Sequence, residues 1–207
     1  MTGMTTYAGL ILDFGGVVTT DFYGALSAFS QRAGLNPGAF TSVLRDTGEG
    51  RHALAAVECG QMSQREFERT MGRLLGLDDN GLLGNALADL RPRPEVAALV
   101  EQARWSGVKV AVLSNSWGSG SYDPYADYEL ERLFDAVVIS DQVGLRKPSA
   151  EIYELTASKI GLPFGECLFV DDTAANLPPA AALGMGTVLF TGADDEIAEI
   201  ARLVGIG

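Results

Sequence analysis

Five short runs of the chain are apolar almost without a break: residues 8–13 (AGLILD), 108–114 (VKVAVLS), 136–140 (AVVIS), 167–171 (CLFVD) and 187–190 (TVLF). A strand with one wet face alternates apolar and polar residues. Continuous runs predict strands buried on both faces, as in a parallel sheet with helices on either side. The last four runs alternate with helical spacing. Pro94 marks a helix start, and Val96, Leu99, Val100 and Ala103 follow at i, i+3, i+4 and i+7. Ser149 is placed to cap a helix that carries Ile152 and Leu155 and is closed by Gly161. Asp194 opens a last helix with Ile197, Ile200 and Ala201 on one side. The alternation predicts a doubly wound α/β sheet.

The interval between the first two runs breaks this rhythm. Residues 19–92 hold no strand pattern and read as helices instead. Leu26, Phe29 and Ala33 fall at i, i+3 and i+7 and are stopped by Gly34; Phe67, Met71, Leu74 and Leu75 follow behind a capping box of Ser63 and Glu66. A crossover helix needs only about a dozen residues, so this stretch predicts a helical cap inserted at 19–92. The core is then formed by 1–18 and 93–207, with Arg91-Pro92-Arg93-Pro94 as the return linker.

Composition narrows the class. With 207 residues, 47% hydrophobic and 20% charged, the chain suits one folded domain with an insert and is too apolar for disorder. Fifteen basic against 27 acidic residues give a net charge of −12. Such a chain has no general affinity for nucleic acid or an anionic membrane, so any phosphate it binds must be held locally, by a metal or a few cations. Two cysteines, Cys59 and Cys167, are too few for a disulfide framework and read as buried thiols. The N-terminus lacks the basic and long apolar stretches of a signal peptide, and no apolar run approaches the ~20 residues of a membrane span. The expectation is a cytoplasmic protein, monomer or homodimer.

Ligands of open α/β sheets bind beyond the C-terminal ends of the strands. Those ends carry Asp13-Phe14-Gly15-Gly16, Ser114-Asn115-Ser116, Lys147-Pro148, and Asp171-Asp172 with Asn176 beyond them. Three carboxylates brought together repel. A divalent cation relieves that repulsion, and oxygen donors suit Mg²⁺. Metal, lysine and hydroxyl together are what a phosphoryl group needs, and Asp13 would be left to attack phosphorus. Asp171-Asp172 also reads as an acidic pair at a helix N-terminus. Ser114 lacks the G-x-S-x-G elbow of a nucleophilic serine, and His52, the sole histidine, lies in the inserted segment and reads as structural or exposed. Gly15-Gly16 is not followed by a G-x-G-x-x-G pattern. Residues 117–128 (WGSGSYDPYADY) read either as a surface loop or as a pocket wall presenting Trp117, Tyr122 or Tyr125.

In these motifs, each at a strand end and in this order, the sequence resembles the haloacid dehalogenase-like (HAD) hydrolases. The resemblance runs from Leu10 through 112–116 (VLSNS), 133–140 (LFDAVVIS), 144–153 (GLRKPSAEIY) and 167–185 (CLFVDDTAANLPPAAALGM). It implies a Rossmann-like three-layer core with a helical cap after the first strand. It implies a small phosphorylated metabolite as substrate, with Mg²⁺ held by Asp13, the Gly15 carbonyl and Asp172, Asp171 adjacent to the metal or acting on it through water, and Asn176 supporting the metal loop. Phosphate would be held by Phe14, Gly15, Ser114, Asn115 and Lys147, with Asp13, Ser114 and Lys147 catalytic. One departure matters. Phosphatases of the family carry D-x-D in the first motif, the second Asp protonating the leaving group, and here that position is Gly15. A placed proton donor contributes ~10²–10⁴-fold. The departure therefore implies a slow enzyme, a substrate with a good leaving group (an anomeric sugar, acyl or aryl phosphate), or another donor such as Asp21 or a water held by the cap. A catalytically weak binding or regulatory module and a metal-free 2-haloacid dehalogenase are the alternatives, and Asp171-Asp172 argues against the second.

Overall fold

This computed structural model describes residues 6–193 and 195–206. Five strands, β1 (Gly9–Leu12), β2 (Lys109–Ser114), β3 (Ala136–Ile139), β4 (Cys167–Asp171) and β5 (Gly186–Leu189), form one sheet in the order β3-β2-β1-β4-β5. All pairings are parallel. The helices among the described residues are α1 (Phe22–Arg32), α2 (Ala39–Asp46), α3 (Gly48–Glu58), α4 (Gln64–Leu75), α5 (Leu82–Ala86), α6 (Pro94–Trp105), α7 (Leu130–Leu133), α8 (Ser140–Val143), α9 (Ala150–Ile160), α10 (Leu177–Ala182) and α11 (Glu196–Leu203).

The two faces of the sheet explain the unbroken apolar runs. Leu10, Leu12, Val110, Val112, Leu168 and Val170 point to one side, where Val96, Leu99, Val100 and Ala103 of α6 and Ile200 of α11 cover them. Ile11, Ala111, Leu113, Val138 and Phe169 point to the other, against Ile152, Tyr153, Ala157 and Ile160 of α9 and Ala180 of α10. Successive strand residues thus enter opposite cores, and neither set can be polar. The fold is a three-layer α/β Rossmann-like sandwich.

The helix signals resolve in detail. Pro94 is the first residue of α6, and Gly161 ends α9 in the left-handed conformation. Ser149 stands at the N-cap of α9, but its hydroxyl bonds the Glu151 carboxylate rather than the first turn's backbone. Asp194 lies outside the described residues, and α11 has Asp195 at its N-cap.

Between β1 and β2 the chain forms α1 to α5, which enclose an apolar core of their own around Leu26, Phe29, Phe40, Val57, Phe67, Met71 and Leu83. α4 begins with the expected reciprocal cap: Glu66 N donates to Ser63 Oγ, and Ser63 N donates to Glu66 Oε2. The two passages between insertion and sheet run side by side. Thr19 and Pro92 form an antiparallel bridge, Thr20 N donates to Arg91 O (2.8 Å) and Arg93 N to Val18 O (3.0 Å).

A third attachment comes from the loop after β2. Trp117, buried, sits in the insertion's core, stacked on Phe40 at 6.0 Å and angled against Phe22 and Phe67. Beside it the Gln64 amide of α4 is fully engaged by the same loop. Its Nε2 donates to the carbonyls of Gly118 and Tyr122 (both 2.8 Å), and its Oε1 accepts from Tyr122 N (3.1 Å) and Ser121 Oγ (3.3 Å). No helix among the described residues is long and apolar enough to cross a membrane.

Candidate active site

The order of the sheet places β1 between β2 and β4, so the chain reverses its direction of travel beside β1. The crevice at such a reversal is where open α/β folds bind ligands. Asp13 follows β1 directly and donates its backbone N–H to Val170 O at 2.9 Å, which fixes it next to the end of β4. Oxygens of Asp13, Asp171 and Asp172 lie within 4.8 Å of one another. Lys147 enters this cluster from the loop before α9. Its Nζ donates to Asp13 Oδ1 (2.6 Å), Asp171 Oδ2 (2.7 Å) and the Leu113 carbonyl (3.1 Å), and the residue is 2% exposed.

The two aspartates at the end of β4 differ sharply. Asp171 is fully buried, with both oxygens engaged by Lys147, the Thr173 N–H and the Asn176 amide. It reads as the anchor that orients the lysine. Asp172 is half-buried and lines the cavity, with Oδ1 accepting from Thr173 Oγ1 (3.1 Å). A Cβ on Gly16 would lie 2.1 Å from Asp172 Oδ2, and Gly16 has φ +89°. Only glycine lets the first loop pass this close to the carboxylate.

Electrostatics at the cluster are lopsided. Burial, helped by Asp171 and Asp172, raises the Asp13 pKa against the pull of Lys147. Burial, then Asp171, pushes Asp172 up to about 6. Burial works against the Lys147 ammonium too, but Asp13 and Asp171 outweigh it and hold its pKa above the ordinary lysine value. With all three carboxylates ionised, one ammonium would leave two negative charges over, the amount a divalent cation neutralises, and such a cation would offset the rise in the Asp13 and Asp172 pKa values. Hard oxygen donors and the Gly16 cradle fit Mg²⁺ held by Asp13, Asp172 and the Gly15 carbonyl.

The remaining sequence-derived residues also converge here. Asp13, Phe14, Gly15, Ser114, Asn115, Lys147, Asp172 and Asn176 all line one cavity of about 810 Å³ under the insertion. Phe14 N donates to Asp13 Oδ1 (2.7 Å). Ser114 Oγ and Tyr125 Oη lie 2.9 Å apart. The Asn115 amide grips Lys147, accepting from its N–H (2.9 Å) and donating to its carbonyl (3.1 Å). Asn115 therefore braces the lysine's backbone.

Of the loop residues, Trp117, Tyr122 and Tyr125 all reach the cavity wall. Tyr125 packs on the Phe14 ring at 4.7 Å, and its burial holds the phenol well above the ordinary tyrosine pKa. Asp21 is exposed and His52 is exposed; neither lines the cavity. Cys59 and Cys167 are free; Cys167 is fully buried as expected, whereas Cys59, just past the end of α3, is only partly buried.

Sequence reasoning missed Glu58, at the end of α3. Its buried carboxylate pairs with Arg146 Nε (2.8 Å) and accepts from Asn115 Nδ2 (3.4 Å), so the insertion reaches the residues that brace Lys147. Burial pushes Glu58 up to about 7, against the pull of Arg146 and Lys147. No local pattern marks it: Asn115 lies 57 residues away along the chain.

The family model for haloacid dehalogenase-like hydrolases matches residues 7–184. The chain belongs to this family. Sesquiterpene phosphatase astK of Aspergillus oryzae is 27% identical over 214 residues, covering 97% of this chain and 98% of that protein. (S)-2-haloacid dehalogenase 4A of Burkholderia cepacia is 29% identical over 113 residues, 55% of this HAD-like chain and 48% of the relative. Other relatives are much longer: the chain spans 10% of mouse Acyl-CoA dehydrogenase family member 10, at 30% identity over 112 residues. Among solved structures, a HAD family enzyme of Bacteroides thetaiotaomicron in complex with magnesium and inorganic phosphate superposes with a TM-score of 0.66 at 22% identity, covering 93% of this chain and 97% of that one. At that identity the likeness speaks to the fold.

Proposed function

We propose that this HAD-like hydrolase is a Mg²⁺-dependent phosphatase acting on a small phosphomonoester through a phospho-aspartyl intermediate on Asp13. The observation that carries the reading is Asp13 on the floor of the cavity, held 2.6 Å from Lys147 Nζ within a cluster of three carboxylates. The cluster of three carboxylates suits a bound cation, which a metal-free displacement of halide does not call for. The astK relative, similar over nearly its whole length, supports phosphate as the group acted on.

When bound, Mg²⁺ would supply charge neutralisation for the phosphoryl oxygens. Lys147 keeps its proton and offers a second positive charge to the same group. The Ser114 hydroxyl, oriented by Tyr125, donates to a phosphoryl oxygen. Asp13 forms an oxygen–phosphorus bond as the bond to the alcohol oxygen breaks. The departing alkoxide takes its proton from water, because position 15 carries no carboxyl group. Water then attacks phosphorus, the phospho-aspartate opens, and phosphate leaves with Asp13 restored.

The test is release of phosphate from p-nitrophenyl phosphate. Turnover that requires Mg²⁺, stops with EDTA and is lost in Asp13→Asn agrees with the proposal. Chloride release from 2-chloropropionate in EDTA, with no phosphate release in Mg²⁺, favours the dehalogenase reading. Tight phosphate binding without turnover favours the binding module, for which Gly15 is the supporting feature.

A further inference from the structure

The cavity has two chemically separate sides. The strand ends supply its polar floor, where the acidic cluster and Lys147 lie. The insertion supplies a wall that includes Phe22, Tyr23, Leu54, Leu83 and Leu87. At about 810 Å³ the cavity falls in the range that encloses an entire small-molecule ligand, roughly 300–1,000 Å³. A phosphoryl group fills a few water volumes of about 30 Å³ each. Most of the space therefore belongs to the alcohol half of the substrate.

Five residues of the insertion's wall carry polar side-chain atoms, Tyr23, Arg45, Arg51, Glu58 and Gln64, and the two buried ones, Glu58 and Gln64, are engaged within the protein. Gln64 has its amide spent on Gly118, Tyr122 and Ser121. Glu58 is held by Arg146 and Asn115. Arg45 lies over the Tyr23 ring at 4.4 Å, and Arg51 donates to the Arg45 carbonyl at 2.9 Å. Both arginines are exposed, at the solvent side. A sugar or nucleoside needs several convergent donors and acceptors, and a site lacking them pays for desolvating each hydroxyl. The wall offers carbon where a polyol needs partners.

We infer that the substrate class is the phosphate monoester of an apolar alcohol, its hydrocarbon lying along the wall of Phe22, Tyr23, Leu54, Leu83 and Leu87 while the phosphoryl group rests on the strand ends. This assignment rests on the phosphatase proposal above. It also accords with Gly15: its open side faces the Phe22 ring, 3.4 Å from where a Cβ would stand, so the position nearest the leaving group is apolar as well.

The experiment uses the full chain in Mg²⁺ and measures phosphate release from phenyl, 4-methylphenyl, 4-butylphenyl and 4-octylphenyl phosphate, with p-nitrophenyl phosphate and glucose 6-phosphate alongside. Leaving-group acidity is nearly constant across the alkylphenyl series, so the series reads the wall alone. The expected result is a rise in kcat/KM of about 100-fold or more from methyl to octyl, since each buried methylene contributes several-fold. Glucose 6-phosphate falls below every member. In Leu54→Glu the octyl-to-methyl ratio collapses toward one; Leu54→Ser serves if the charged variant does not fold. A flat alkyl series with p-nitrophenyl phosphate still hydrolysed overturns the apolar-alcohol assignment and leaves the phosphatase proposal standing. Preference for glucose 6-phosphate does the same. No release from any ester overturns both.

Discussion

Gly15 and Gly16 are neighbours with opposite consequences. Gly15 has φ −73° and ψ 118°, a conformation any residue adopts, and a Cβ there would make ordinary contact with Phe22. Gly15→Asp is therefore sterically admissible and would return a proton donor to the leaving-group side. Turnover of an alkyl phosphate is expected to rise by up to ~10²–10⁴-fold and that of an aryl phosphate much less, because a phenolate departs without protonation. Equal gains for both in steady-state kinetics would contradict the role assigned to this position. Gly16 admits no such change. Gly16→Ala would drive a methyl group into the Asp172 carboxylate and strain a positive φ. The concentration of Mg²⁺ giving half-maximal activity is expected to rise ~10–100-fold, with a lower Tm; an unchanged metal titration would remove Asp172 from the proposed ligands.

At the scale of elements, the sheet was legible because burial on both faces leaves little choice of residue. All five strands lie within one residue of the apolar runs at each end. The insertion was only half legible. α1 and α4 carry clear periodicity and stops, whereas α3 opens with Gly48 and Gly50, which reads as a turn. Gly50 is there because a Cβ would strike the Val43 carbonyl at 1.9 Å, so α2 and α3 meet closely. Asp13, Lys147 and Asp171 could be placed from their positions after strands. Their partners could not. Tyr125 reaches Ser114 from a glycine-rich loop, and the Asn115 amide serves a backbone 32 residues on. Trp117 was visible as a pocket candidate, but its larger role is in the insertion's core. Trp117→Ala is expected to cost about 3–5 kcal/mol in denaturant unfolding. It should also expose α1–α5 to hydrogen exchange ahead of the sheet. A loss under 1 kcal/mol would mean that the insertion holds together without it.

For the molecule as a whole, a net charge of −12 means that an anionic substrate is drawn in only by the local cations of the crevice. Glu58 joins the two parts across that crevice and carries a pH signature. Burial pushes its pKa up to about 7, against the ordinary 4.5 of the unfolded chain. Between those values the folded protein binds more protons, so the stability Glu58 confers is full below the lower value and falls as pH rises toward the upper one. Glu58→Gln is expected to flatten the decline of Tm between about pH 4.5 and 7. Identical slopes in wild type and variant, by calorimetry across that window, would show that Glu58 ionises freely in the folded state. Trp117 has a further consequence for engineering. An indole from the sheet's own loop completes the helical layer, so a chimera given a foreign lid must supply a matching aromatic socket. Without one, the scaffold presents a bare tryptophan and the donor bundle a hole.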